Sequence, residues 1–261
     1  MNLDLNGKNA LVCGGSKGIG KAIAIELAAL GANVILAARS ADLLAELVTQ
    51  LPNSVPQNHS FLVVDLEDHE DLVKKVRQLS MTKPIHILIN NSGGPPGGPI
   101  LDADPDEFRM AMERHLIASH HLVKLLVPGM KSSGYGRIVN VISTSVKEPI
   151  PGLGVSNTTR GAMASWAKTV SLEVAPFGIT INNILPGFTR TERLHSLMQT
   201  WADQRKISIE AIQNELFTIV PMGRFAEPEE VAGVAAFLTT PAASYVTGVS
   251  LAVDGGRTKC L

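Results

Sequence analysis

The residues best placed for chemistry stand in one short turn. Gly14, Gly15, Ser16, Lys17, Gly18, Ile19 and Gly20 follow an apolar run and open a stretch of helical period. Glycine removes the side chains that would keep a diphosphate away from the main chain, and a helix N-terminus offers free N–H groups with positive dipole charge. This pattern predicts a phosphate-bearing dinucleotide held by Gly14, Ser16, Lys17, Gly18, Ile19 and Gly20. The next apolar run ends Ala37-Ala38-Arg39-Ser40, with no carboxylate to accept from a ribose 2′-hydroxyl. Lys17 and Arg39 instead bring two cations to that neighbourhood, where charge-assisted bonds to a phosphate are about twice as strong as neutral ones.

Such a turn must be carried by a strand and followed by a helix, and the rest of the chain repeats that alternation. Apolar runs at 9–12, 33–37, 61–64, 85–89, 137–142, 180–185 and 250–253 read as strands, several without polar interruption, as strands covered on both faces should be. Between them lie helical periods. One spans 19–30 and stops at Gly31, a natural C-cap. Another starts at Asp104, where Asp-Pro-Asp-Glu supplies an N-cap and a proline at the first helical position, and Pro128 marks its expected end. The chain reads as one domain over 1–261, an α/β, doubly wound parallel sheet with helices on both faces. Residues 189–223 interrupt the alternation. There Leu194, Leu197, Met198 and Trp201, then Ile209, Ile212 and Leu216, recur at helical spacing, which predicts a helical pair covering a pocket at the strands' carboxyl ends.

The spacing of Gly14, Gly18 and Gly20 around Ile19 resembles the TGxxxGIG motif of the short-chain dehydrogenase/reductase family, with Cys13 in the Thr place. Similar landmarks follow in family order: Asp65, then Asn90-Asn91-Ser92-Gly93, Pro186-Gly187, and Tyr245-Val246-Thr247-Gly248. They span nearly the whole chain, and the resemblance is closest to ketoacyl-carrier-protein-reductase-like members. It implies a Rossmann-type sheet of seven strands, a homotetramer and an oxidoreductase acting on a carbonyl or alcohol. It also implies that Asp65 accepts from the adenine amino group, that Asn90, Gly93, Pro186 and Gly187 border the cofactor, and that Thr191 holds the nicotinamide carboxamide. With Lys17 and Arg39 in place, NADP(H) is favoured, and NAD(H) remains open.

The family's acid is missing. Its YxxxK signature uses a phenol, of pKa about 10 when unperturbed, acidified by a lysine one helical turn away. At the family's spacing from Ser143, which matches the serine that polarises the carbonyl, this chain has Ser156 in the Tyr place and Arg160 in the Lys place. A serine hydroxyl is far less acidic than a phenol and arginine stays protonated, so the pair cannot repeat Tyr/Lys acid catalysis. Arg160 is expected to hold a ribose or stabilise an oxyanion. His115 stands where the family has an Asn of a proton relay, and two readings stay open: a proton donor, since histidine titrates near neutrality, or a core residue, the commoner part for a lone His on an apolar helix face. The catalytic candidates are thus Ser143, Ser156, Arg160 and His115. The competing expectation is a degenerate nucleotide-binding or scaffold member.

Bulk properties set bounds. The 261 residues carry a formal net charge of -1 with no basic stripe, which argues against nucleic acid and leaves a small-molecule substrate. Cys13 and Cys260 match neither a disulfide framework nor zinc spacing, and no metal site is expected. The start has no export signal and no apolar stretch reaches about 18 residues, so a cytoplasmic protein outside the membrane is expected.

Overall fold

The computed structural model describes residues 1–260. Its strands β1 (Asn9–Cys13), β2 (Asn33–Ala38), β3 (Ser60–Val63), β4 (Ile87–Asn90), β5 (Gly136–Val141), β6 (Ile179–Pro186) and β7 (Ser250–Val253) form a seven-stranded sheet in the order β3-β2-β1-β4-β5-β6-β7. Every pairing is parallel. The order reverses between β1 and β4, and in open α/β sheets ligands bind beyond the carboxyl ends at that switch point.

The helices are α1 (Gly18–Ala29), α2 (Ala41–Gln50), α3 (His69–Thr82), α4 (Pro105–Met112), α5 (Ala118–Ser132), α6 (Gly154–Val174), α7 (Glu192–Arg205), α8 (Ile209–Ile219) and α9 (Pro228–Thr239). Ile23, Leu44 and Val231, from α1, α2 and α9, bury against Val12 and Ile87. On the opposite face Leu72, Leu122 and Ala167, from α3, α5 and α6, bury against Leu11 and Leu88. Successive residues of one strand thus feed two cores, which is why these runs are apolar without alternation. The fold class expected from the sequence is the one found.

Two expectations need correction. Pro128 does not end its helix, because α5 runs on to Ser132. Pro128 and Lys124, whose carbonyl would lose its helical partner, both lie on the exposed side, where water can satisfy it, and the buried face of Leu122, Leu126 and Met130 carries the helix through. The helix begun at Asp104 is also not one piece, since a π turn over Glu113–Ile117 separates α4 from α5. A π bulge changes the helical phase by inserting a residue, and here it carries His115.

At the carboxyl side of the sheet four polar residues stand in register. Asn90, Asn140, Asn183 and Ser250 are successive cross-strand partners. Asn90 Nδ2 donates to Asn140 Oδ1 at 2.8 Å, Asn140 Nδ2 to Asn183 Oδ1 at 2.8 Å, and Asn183 Nδ2 to Ser250 Oγ at 3.0 Å. Buried amides are tolerated here because each finds a neighbour on the next strand.

Candidate active site

Beyond the carboxyl ends of β1, β4, β5 and β6 lies a cleft of about 780 Å³. The turn after β1 forms one wall with Gly14, Ser16, Lys17, Gly18 and Ile19. Gly14 and Gly18 have φ of 58° and 52°, a left-handed backbone that favours glycine. Helix α1 starts without a side-chain cap and without an acidic residue in its first turn, so its leading N–H groups are left for an anion. This open cradle fits a diphosphate. Gly20 plays another part: it does not line the cleft, and a Cβ there would meet Asn91 Nδ2 at 2.6 Å and the Gly14 carbonyl. It lets the helix close on the turn. Burial of Cys13, in the Thr place, pushes its thiol up to about 12, so it is no nucleophile near neutrality.

The flanking cations are not free. Lys17 Nζ lies 3.0 Å from a carboxylate oxygen of Glu192, and Arg39 Nη1 lies 3.9 Å from Asp65. Both pairs are largely exposed and therefore weak, so they would yield to a ligand phosphate. Arg39 lines the cleft, whereas Asp65 does not. Asn90, expected at the cofactor's border, is withdrawn into the sheet by its bond to Asn140. Its neighbour Asn91 lines the cleft and donates to the carbonyls of Cys13 and Gly14 at 3.3 and 3.2 Å. Gly93, Pro186, Gly187 and Thr191 all face the cleft. Thr191 Oγ1 accepts from Leu194 N and donates to Thr189 O, so it caps α7 as it borders the cavity.

Ser143, Ser156 and Arg160 line the same cleft. Ser143 follows β5, and its Oγ accepts from Ser145 N at 3.1 Å. With that lone pair engaged, the hydroxyl proton has no acceptor among the described residues and is available to a ligand oxygen. Ser156 and Arg160 lie one turn apart near the start of α6. Arg160 is only 7% exposed. Its Nη1 donates to Val141 O at 3.4 Å and its Nε is buried without a partner. Burial, and then the nearby Arg193, lower its pKa to about 10, so the guanidinium still carries its charge at neutral pH.

Of its two readings, His115 takes that of a buried core residue and not that of the acid. It is 2% exposed and absent from the cleft wall, and its Nδ1 lies 2.5 Å from Ser92 Oγ while Nε2 is buried without a partner. Burial, then the Arg160 and Arg114 cations, push its pKa down to about 2 from an ordinary 6.5, so the imidazole is neutral near pH 7. The unfolded chain therefore binds this proton first. The resulting stability is present above pH 6.5 and is lost as pH falls below it, by about 1.4 kcal/mol per unit. Between pH 7 and pH 5 the wild type should lose about 2 kcal/mol more than His115→Asn in urea unfolding, and equal losses would contradict this burial.

The helices after β6 close another side of the cleft, where Glu192 of α7 meets the turn through Lys17. Leu194, Met198 and Ala202 of α7 pack with Ile212 of α8 and Phe225, while Leu197 and Trp201 line the cleft. Four cations that sequence reasoning passed over also line the cleft: Lys21, Arg190, Arg193 and Arg257. The only available signal for Arg193 was a cation two residues after Thr191 in a segment expected to cover a pocket.

The family profile described as Enoyl-(Acyl carrier protein) reductase matches residues 14–258. A tropinone reductase homologue of Arabidopsis thaliana is 36% identical over 97% of this chain and 94% of its own. The structure of L-sorbose reductase from Gluconobacter frateurii, complexed with NADPH and L-sorbose, superposes with a TM-score of 0.93 at 30% identity, covering 100% of both chains. A solved protein described as a short-chain dehydrogenase/reductase family protein superposes at 0.81 with 31% identity, covering 97% of this chain and 99% of its own.

Proposed function

The chain belongs to the short-chain dehydrogenase/reductase family, and from that premise we propose that it is an NADP(H)-dependent oxidoreductase acting on a carbonyl or alcohol through an altered active site. The observation that carries this reading is the uncapped, glycine-lined start of α1 opening into the same cleft as Ser143 and Arg160. Lys17 and Arg39 would take the 2′-phosphate, exchanging weak exposed carboxylate partners for it. The NADPH complex of the sorbose reductase supports that choice of cofactor.

Bound NADPH would supply a hydride to the carbonyl carbon. As the π electrons gather on the carbonyl oxygen, the Ser143 hydroxyl donates to it and the buried Arg160 cation lowers its energy, an effect strengthened where water is excluded. No phenol is at hand to finish the step. Tyr135 donates to Thr239 O at 2.5 Å beyond the opposite end of β5, and Tyr245 is wholly exposed. With His115 neutral, the final proton comes from water in this reading. Helices α7 and α8 act as a lid over the substrate, and the exposed edge strand β7, with Leu251 40% exposed, supports assembly into a homotetramer.

Ser143→Ala should lower kcat/KM for an oxidised or reduced substrate by about 10-fold or more, one oxyanion donor being worth ~1.4 kcal/mol at least. An unchanged rate would remove Ser143 from the mechanism. The lack of a placed phenol also favours a second reading, a member that binds nucleotide without turnover. Cofactor oxidation by Ser156→Tyr/Arg160→Lys but never by the wild type, across a carbonyl panel, would decide for it.

A further inference from the structure

We propose that the cleft selects a substrate bearing a carboxylate beside its reacting carbonyl, an oxo acid with an apolar body, which it binds between Arg193 and Arg160. The inference rests on the reductase reading above and names its substrate class. Arg193 stands in the first turn of α7, in the helical pair after β6, and Arg160 on α6. Both guanidinium groups reach within 4 Å of the point where a Cβ on Gly94 would stand. Among the described residues neither has a carboxylate within salt-bridge distance, whereas Arg114 beside them is paired with Glu67.

Arg193 Nη2 donates to Pro95 O at 2.5 Å, and Arg160 Nε has no partner among the described residues. Two uncompensated cations facing one gap repel each other, and their pKa values are both lowered, mainly by burial. Burying like charge without a counter-ion is costly, so an anion of matching size relieves the site. One developing oxyanion answers one cation. A carboxylate on the adjacent carbon answers the second, and arginine's planar fork suits it bidentately. Ile150, Leu153, Leu197 and Trp201, also on the lining, offer an apolar surface for the substrate body.

The test uses benzoylformate, its methyl ester and acetophenone, three carbonyls with one body and only one carboxylate. With NADPH saturating, the wild type should prefer benzoylformate over the ester by at least about 10-fold in kcat/KM, as charged hydrogen bonds warrant. Arg193→Gln should erase that preference, Arg193→Lys should recover part of it, and the affinity for NADPH should change less than about 2-fold, well below the ~10-fold of one charged bond. Equal handling of acid and ester by the wild type overturns the proposal. So does an Arg193→Gln variant that loses NADPH affinity while keeping the acid preference, since the anion met there would be the cofactor's. A binding arm separates this from the reductase reading. With NADP+ saturating, mandelate and the smaller lactate should raise Tm in the wild type but not in Arg193→Gln, and methyl mandelate should not raise it. Shifts without turnover of any carbonyl keep the carboxylate site and remove the reductase reading. Turnover without acid preference and without those shifts does the reverse.

Discussion

Gly20→Ala is expected to abolish measurable NADPH binding, raising Kd by about 100-fold or more, the effect of displacing several backbone N–H contacts to phosphate at once. The methyl group has nowhere to go. It would overlap the Gly14 carbonyl and approach Asn91 Nδ2 to 2.6 Å, and both neighbours are fixed, the first by the main chain and the second by its bonds to Cys13 and Gly14. Helix α1 must therefore back away from β1, which moves the N–H groups that face the cleft. The same change at Gly233, mid-helix in α9 with nothing within 4 Å of its Cβ, should instead raise stability by about 0.5–1 kcal/mol, the ordinary helix preference for alanine. Titration of NADPH by fluorescence, with thermal unfolding in parallel, reads both. Wild-type affinity in Gly20→Ala would show that the turn does not hold the cofactor's phosphates, and with it the proposed function would lose its main support.

Asn140→Leu should cost about 3 kcal/mol or more of folding stability, because it strands two buried polar groups at once, the Asn90 amide and the Asn183 carbonyl oxygen. Asn140 is fully buried, so water cannot replace the lost partners. Asn90→Leu should cost less. It orphans only Asn140 Oδ1, and it removes Asn90 Oδ1, which already lacks a partner. Urea unfolding of the two variants gives the order directly. A milder loss in Asn140→Leu than in Asn90→Leu would mean that the ladder does not hold the carboxyl end of the sheet in the way its hydrogen bonds indicate.

Much of this protein was legible from spacing alone. Every strand was located to within a few residues, and most plainly the central β1 and β4, because a strand buried on both faces needs an unbroken apolar run and such runs have few other uses. The cradle was legible for a related reason. A left-handed turn admits glycine at Gly14 and Gly18, and a close helix admits it at Gly20, so local backbone demands are written in residue type. The expectation that Ser156 and Arg160 stand in place of the YxxxK residues came by the same route, a count from Ser143.

What the sequence could not supply were facts about partners far apart in the chain. Asn90 and Asn91 are adjacent, yet strand direction turns one into the sheet and the other to the cleft, which no local pattern distinguishes. His115 carries a near-neutral acid's name, and only its burial, with Arg160 and Arg114 nearby, strips it of its proton. Pro128 broke a rule of thumb because its missing bond falls on the solvent side. Arg193 and Arg160 lie far apart in sequence but face one gap beside Gly94 in the folded chain. Residue type and period fix the backbone, because backbone geometry is a local matter. Charge, protonation and exposure are sums over neighbours, and the neighbours are chosen only when the sheet closes its two faces.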